Sequence, residues 1–291
     1  MVFLEIILRL FGWGDPPLAL LDDEIEYYPK PSSIYNRYGN TIKINSYGMR
    51  SNEFDHLNPG SFHVSIFGDS VVYGNHLLDQ PETIAYQLEN KIQNKLGVST
   101  IVSAIAASSW GPQNIEHFYD KKGPFTGAYA IIIQSSHDRF DVINGSSLSI
   151  KPPYRIDKSF IAIDDFIERI WEWLESRINM NNQSNKYSRA EAEKITNASL
   201  TSLISKLKKS YGHVALYYHS TNSELMKQGT DLSASYYQTL AKEEGIDFID
   251  STIEYQKRKC IKPIYEDNIH LTPKGAFCVS EIIYNWISGY L

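Results

Sequence analysis

The chain has 291 residues, enough for one large domain or two small ones, and its 42% hydrophobic and 21% charged residues are ordinary for a folded globular protein. A formal charge of −6 at pH 7, with no basic run beyond Lys257-Arg258-Lys259, argues against nucleic-acid binding. Cys260 and Cys278 stand alone, with no Cys-x-x-Cys and no Cys/His cluster, so neither a disulfide framework nor a structural zinc site is indicated.

Residues 1 to 13 are apolar, too short to cross a bilayer, and interrupted by Glu5 and Arg9. They lack the basic start and small-residue cleavage site of a signal peptide, so the expectation is an amphipathic helix that packs on the domain, with peripheral contact to a membrane surface as the alternative. A cytoplasmic or membrane-peripheral location is the most compatible with such a start. Residues 14 to 60 are rich in Pro, Asn, Gly and Tyr, with one alternating run, Thr41-Ile-Lys-Ile-Asn45, that reads as an edge strand. Residues 1–60 therefore read as a helix and irregular arm wrapped on a main domain of residues 61–291.

In that main domain short β-branched runs alternate with amphipathic segments. Strands are expected at 64–67, 98–103, 129–134, 213–218 and 246–249, and helices at 81–96, 112–121, 188–210, 231–244 and 273–289. Parallel strands need crossover connections, so the pattern implies an α/β fold with a mostly five-stranded parallel sheet covered on both faces. Residues 139–187 interrupt the rhythm as a helical insertion. Its stripe of Ile163, Phe166, Ile167, Ile170, Trp171, Leu174 and Ile178 reads as core-facing, and Asn179 to Lys186 as a polar linker. The 13% aromatic content, including 20 tyrosines, reads mainly as core, with sugar-stacking surface as the alternative.

Chemistry concentrates at two places. The run Val64-Ser65-Ile66-Phe67-Gly68-Asp69-Ser70 ends a strand in a turn that lifts a serine hydroxyl clear of the sheet, although all three turn residues also favour turns on backbone grounds alone. Near the other end, Asp267-Asn268-Ile269-His270 precedes the last helix. There a carboxylate can reach Nδ1 of the imidazole while Nε2 points at a nucleophile; a loop carboxylate beside a packed histidine is the competing reading. In a parallel α/β sheet both places fall on the same edge, where function gathers.

Gly68-Asp69-Ser70 after the first strand, and Asp267-x-x-His270 near the end, resemble the first and last motif blocks of the SGNH (GDSL-type) hydrolase superfamily, over about residues 64–290. The resemblance implies a three-layer flavodoxin-like α/β/α fold and a serine-dependent acyl-ester chemistry. It makes Ser70 the nucleophile and first oxyanion donor, Asp267 the acid and His270 the base. In the second block Ser108 stands at the position of a glycine whose N–H faces the oxyanion. In the third, Ser135-Ser136-His137-Asp138 replaces Gly-x-Asn-Asp, so His137 takes the place of the oxyanion asparagine, where a neutral imidazole can donate one N–H or merely cap the strand end. An arm containing Ile44-Asn45-Ser46-Tyr47-Gly48-Met49-Arg50 resembles bacterial proteins associated with surface-polysaccharide modification.

The expected activity is hydrolysis of an acyl ester, an O-acetyl group on a carbohydrate, through Ser70, His270 and Asp267, with Ser70, Ser108 and His137 at the oxyanion hole. Such chemistry calls for no metal or organic cofactor. Transfer of the acyl group to a sugar hydroxyl by the same residues, and a non-catalytic glycan-binding or scaffold role, remain as alternatives. No oligomeric state follows from the residues.

Overall fold

The computed structural model describes residues 2–54, 62–143, 155, 156, 158, 160–178, 187–227, 232–258, 260 and 262–291. The N-terminal part begins with helix α1 (Val2–Leu10) and continues as two antiparallel hairpins, β1 (Ala19–Asp22) with β2 (Glu26–Pro29) and β3 (Ser33–Arg37) with β4 (Asn40–Ile44). The run expected as an edge strand lies in β4, and it pairs with β3 instead of joining the main sheet. The turn explains this. Tyr38 and Gly39 both have positive φ, 52° and 86°, the two-residue loop geometry that folds a chain straight back on itself.

The main sheet is entirely parallel. It is built from β5 (Phe62–Gly68), β6 (Thr100–Ala106), β7 (Gly127–Gln134), β8 (Tyr211–Tyr218) and β9 (Asp247–Asp250), in the order β6-β5-β7-β8-β9. Val64, Ile66 and Phe67 of β5 and Ala130 to Ile133 of β7 are buried on both sheet faces, which is why these strands read as continuous apolar runs. The crossovers carry α3 (Ile84–Leu96), α4 (Pro112–Lys122), α6 (Arg189–Ser210), α8 (Leu232–Glu244) and α10 (Pro273–Ser288). Packing of α3 with α10, and of α4 and α8 with α6, makes the two outer layers. Shorter helices that the periodicity does not announce are α2 (Ser70–Tyr73), α7 (Asn222–Lys227) and α9 (Ser251–Arg258). Because β6 and β7 lie on opposite sides of β5, the chain changes direction across the sheet at the end of β5, the place where such sheets open a crevice.

The insertion behaves differently from its sequence pattern. Within 139–187, residues 144–154, 157, 159 and 179–186, which include the expected polar linker, lie outside the described residues; helix α5 (Ala162–Ile178) is described. Four residues of its stripe do not face the core: Ile167, Ile170, Trp171 and Leu174 are exposed, Trp171 by 63%, while Ile163 and Phe166 are half-buried. The helix docks through a smaller, partly polar face instead. Buried Asp165 pairs with buried Arg37 at 2.9 Å and accepts the Gly14 N–H, Phe166 meets Trp13 edge-to-face at 5.1 Å, and Glu5 accepts the Ala162 and Ile163 N–H groups at the helix start. Helix α1 packs on α5 yet buries only Leu8, leaving Val2, Phe3, Ile6 and Leu10 exposed. No helix among the described residues is long and apolar enough to cross a membrane.

One further finding differs from the composition-level reading, and one agrees with it. Cys260 and Cys278 are joined in a disulfide with Cα atoms 5.9 Å apart, tying the segment after α9 to α10. Many aromatics are core, among them fully buried Tyr27, Tyr35, Tyr73, Trp110, Tyr217 and Tyr237.

Candidate active site

Strand β5 ends on Gly68, where a Cβ would stand 2.5 Å from Val72 Cγ2 and 3.3 Å from the Ile133 carbonyl, so only glycine lets α2 fold back this closely. Asp69 caps the turn, its Oδ1 accepting the Val71 N–H at 2.8 Å, and Ser70 follows as the first residue of α2. The late loop is shaped as locally. Asp267 Oδ1 accepts the N–H groups of Ile269 (2.8 Å) and His270 (2.7 Å), Glu266 N–H donates to the His270 carbonyl, and Thr272 caps α10.

Across a sequence separation of 200, His270 Nε2 stands 3.0 Å from Ser70 Oγ, and His270 Nδ1 stands 2.6 Å from Asp267 Oδ2. With Nδ1–H donated to the carboxylate, Nε2 presents its lone pair to the serine hydroxyl. Burial pushes the Asp267 carboxyl up, but the bonds from the His270 ring and from the two amides outweigh it and hold the group below its ordinary value.

Ser108 follows β6 and is buried. Its carbonyl accepts the Tyr27 hydroxyl at 2.5 Å, and Trp110 Nε1–H returns a bond to the Tyr27 carbonyl at 2.9 Å, so hairpin β1–β2 braces this turn from behind. The Ser108 hydroxyl donates to Asn75 Oδ1. Ser70, Ser108, His137, His270 and Asn75 all line one cleft of about 600 Å³.

His137 is set otherwise than a neutral oxyanion donor. Its Nε2 lies 3.0 Å from Asp138 Oδ1 and 3.4 Å from Asp69 Oδ2, both on buried carboxylates. Asp138 foremost, then Asp69, overcomes the opposing effect of burial and pushes the imidazole up, while burial pushes the Asp138 carboxyl up as well, so the ring and the two carboxyls hold their proton in common. Asp69, which burial pushes up, is held low by the hydrogen bond and charge of His137. Among the described residues, Asp69, His137 and Asp138 also bring three atoms of metal-ligating type within 4.8 Å of one another, an arrangement that the contacts of the ring with the two carboxyls already account for.

Two residues at this site lie outside the Gly68-Asp69-Ser70 and Asp267-x-x-His270 motifs. Asn75, one residue past the α2 cap, has φ 44°, is buried, and places Nδ2 3.2 Å from His270 Nε2. Arg50, fully buried, spends one hydrogen bond from each of its five N–H groups, on the carbonyls of Thr41, Tyr73, Asn75 and Leu78 and on Gln80 Oε1. A guanidinium is tolerated in a dry interior only when so paired, and this one pins the loop that carries Asn75.

Set against solved structures, the chain superposes on an acetylxylan esterase from Geobacillus stearothermophilus with a TM-score of 0.51 at 13% identity, covering 79% of this chain and 96% of that one. The chain has an SGNH-hydrolase fold. A variant of the same esterase, described as an acetyl-xylooligosaccharide esterase, gives a TM-score of 0.50 at 14% identity over 79% of this chain and 96% of that one. An alpha/beta hydrolase from the metagenome of Lake Arreo, Spain, gives 0.51 at 10% identity over 77% and 94%. No family model and no curated protein sequence matches the chain. In this fold Gly68-Asp69-Ser70 and Asp267-x-x-His270 meet across the crevice, whereas His137 turns Nε2 to carboxylates.

Proposed function

We propose that the protein is a serine ester hydrolase that removes acyl groups, O-acetyl in particular, from a carbohydrate. The observation that carries this reading is the continuous chain from Ser70 Oγ through His270 to Asp267, at 3.0 and 2.6 Å. Ser70 Oγ attacks the ester carbonyl carbon, its proton passes to His270 Nε2, and the carbonyl π pair moves onto oxygen. Collapse of the tetrahedral intermediate breaks the bond to the sugar oxygen, which takes the proton from His270. Water then attacks the acyl-Ser70 ester by the same route in reverse roles, releasing the carboxylic acid and restoring the serine. Asp267 holds the Nδ1–H tautomer throughout, and the side chains and water supply every step.

The carbohydrate and the acetyl group are supported by the acetylxylan esterases that share the fold. The experiment is labelling with a fluorophosphonate probe, with mapping of the modified residue, followed by incubation with acetylated xylooligosaccharide. Modification of Ser70 and release of acetate are expected, and Ser70→Ala abolishes both. Label elsewhere, or none, sinks the reading and leaves a glycan-binding role; acetyl groups delivered to an added sugar acceptor in place of water would make the enzyme a transferase.

A further inference from the structure

An acyl-transfer site of this kind needs a donor aimed at the oxygen that becomes negative, and His137 Nε2, committed to two carboxylates, is not placed to be that donor. Asn75 has what the position requires. Its side chain is an amide, it lies in the same cleft as Ser70, Ser108 and His270, and it is immobilised at both ends. Arg50 donates to its backbone carbonyl at 2.6 Å, and the Ser108 hydroxyl donates to Oδ1, which leaves the two N–H groups of Nδ2 as the donors of this cleft-lining side chain. One of those N–H groups lies toward His270 Nε2 at 3.2 Å, the nitrogen that also faces the Ser70 hydroxyl at 3.0 Å.

We propose that Asn75 is a catalytic residue that supplies the side-chain oxyanion donor of this site, resting beside His270 Nε2, which it shares with the Ser70 hydroxyl, and turning to the substrate oxygen as negative charge forms there. The proposal rests on the serine-hydrolase reading. When Nε2 accepts the Ser70 proton, its lone pair is consumed and the bond from Asn75 Nδ2–H is lost. In the same step the substrate carbonyl oxygen gains its negative charge. The amide therefore exchanges a neutral acceptor for an anionic one as the transition state forms, the condition under which an interaction speeds the reaction and does not merely tighten substrate binding. Because φ at Asn75 is 44°, glycine retains the backbone there without strain, so Asn75→Gly removes the amide alone.

The test is steady-state hydrolysis of p-nitrophenyl acetate by the full chain, together with inhibition by phenylboronic acid, which forms a tetrahedral adduct on a reactive serine. Asn75→Gly is expected to lower kcat about 100-fold with KM within about threefold, and to weaken boronate inhibition by a similar factor, the loss typical of one missing oxyanion donor. A merely structural residue would lower the melting temperature and scatter kcat and KM without that parallel. If Asn75→Gly does not fold, Asn75→Asp decides, since it retains the size and the acceptor for Ser108 but has no N–H. A folded Asn75→Asp with near wild-type kcat overturns the proposal, as does an Asn75→Gly enzyme with unchanged kcat and boronate affinity. Wild-type protein that neither turns over the ester nor takes a fluorophosphonate at Ser70 removes the hydrolase reading itself, and this inference with it.

Discussion

Two imidazoles line the same cleft, and each faces carboxylate, yet they are prepared for different tasks. His270 turns Nδ1 to a single carboxylate, Asp267, whose side chain is 54% exposed, and keeps Nε2 for Ser70. His137 turns Nε2 to two carboxylates, Asp69 and Asp138, whose side chains are only 3% and 1% exposed. A hydrated carboxylate can orient a ring and leave its far nitrogen available. Two dry carboxyls side by side are costly as anions and engage the ring nitrogen and its proton, and the ring becomes part of the scaffold. Residue type alone does not separate a base from a counter-ion; the nitrogen engaged and the dryness of its partner do.

That contrast can be broken by experiment. The largest effect is expected from His270→Ala, a loss of about 10⁴-fold in kcat/KM for an aryl acetate, against less than about tenfold for His137→Asn. Comparable losses in both would place the two rings in one role. Asp267→Asn should lower kcat by about 10³-fold with little change in KM, because the ring loses its tautomer and orientation but the substrate does not lose its cleft. In urea denaturation the order reverses. His137→Ala strips the counter-ion from two buried carboxylates and is expected to destabilise the fold by about 2 kcal/mol, while His270→Ala stays within about 0.5 kcal/mol of wild type.

The smallest effect is a pH slope. His137 rises from the ordinary 6.5 to about 10 on folding, so the folded state holds more protons than the unfolded one between those values. Its stabilisation is complete below about pH 6.5 and is lost as pH climbs through about 10, in modest amount because the side chain is 47% exposed and screened. Urea midpoints across that range should fall in the wild type and fall less in His137→Asn, where the buried Asp138 carboxyl, itself pushed up to about 8, still gives up its proton. A wild-type curve that instead rises with pH would mean that the ring is neutral when folded.

The residues by themselves determined what is local. Alternating apolar runs gave the five parallel strands, since a strand buried on both faces has to be apolar along its length. The turn at Gly68-Asp69-Ser70 was equally legible, because its cap and its close approach involve neighbours only. The same holds for Asp267 and His270, whose mutual bonds span three residues. Tertiary structure decided the rest. It brought Ser70 and His270 together over 200 positions, sent Arg50 from the arm to hold Asn75, set Asn75 between Ser108 and His270, and joined Cys260 to Cys278. It also gave α5 a partly polar buried face, because Arg37 and Gly14 offer Asp165 closer partners than Arg169 of α5, whose Nε stands 3.9 Å away. Periodicity records which side of an element is apolar. Which polar side chain meets which is set by long-range packing, where a buried hydrogen-bonding group costs free energy until its partner arrives from elsewhere in the chain.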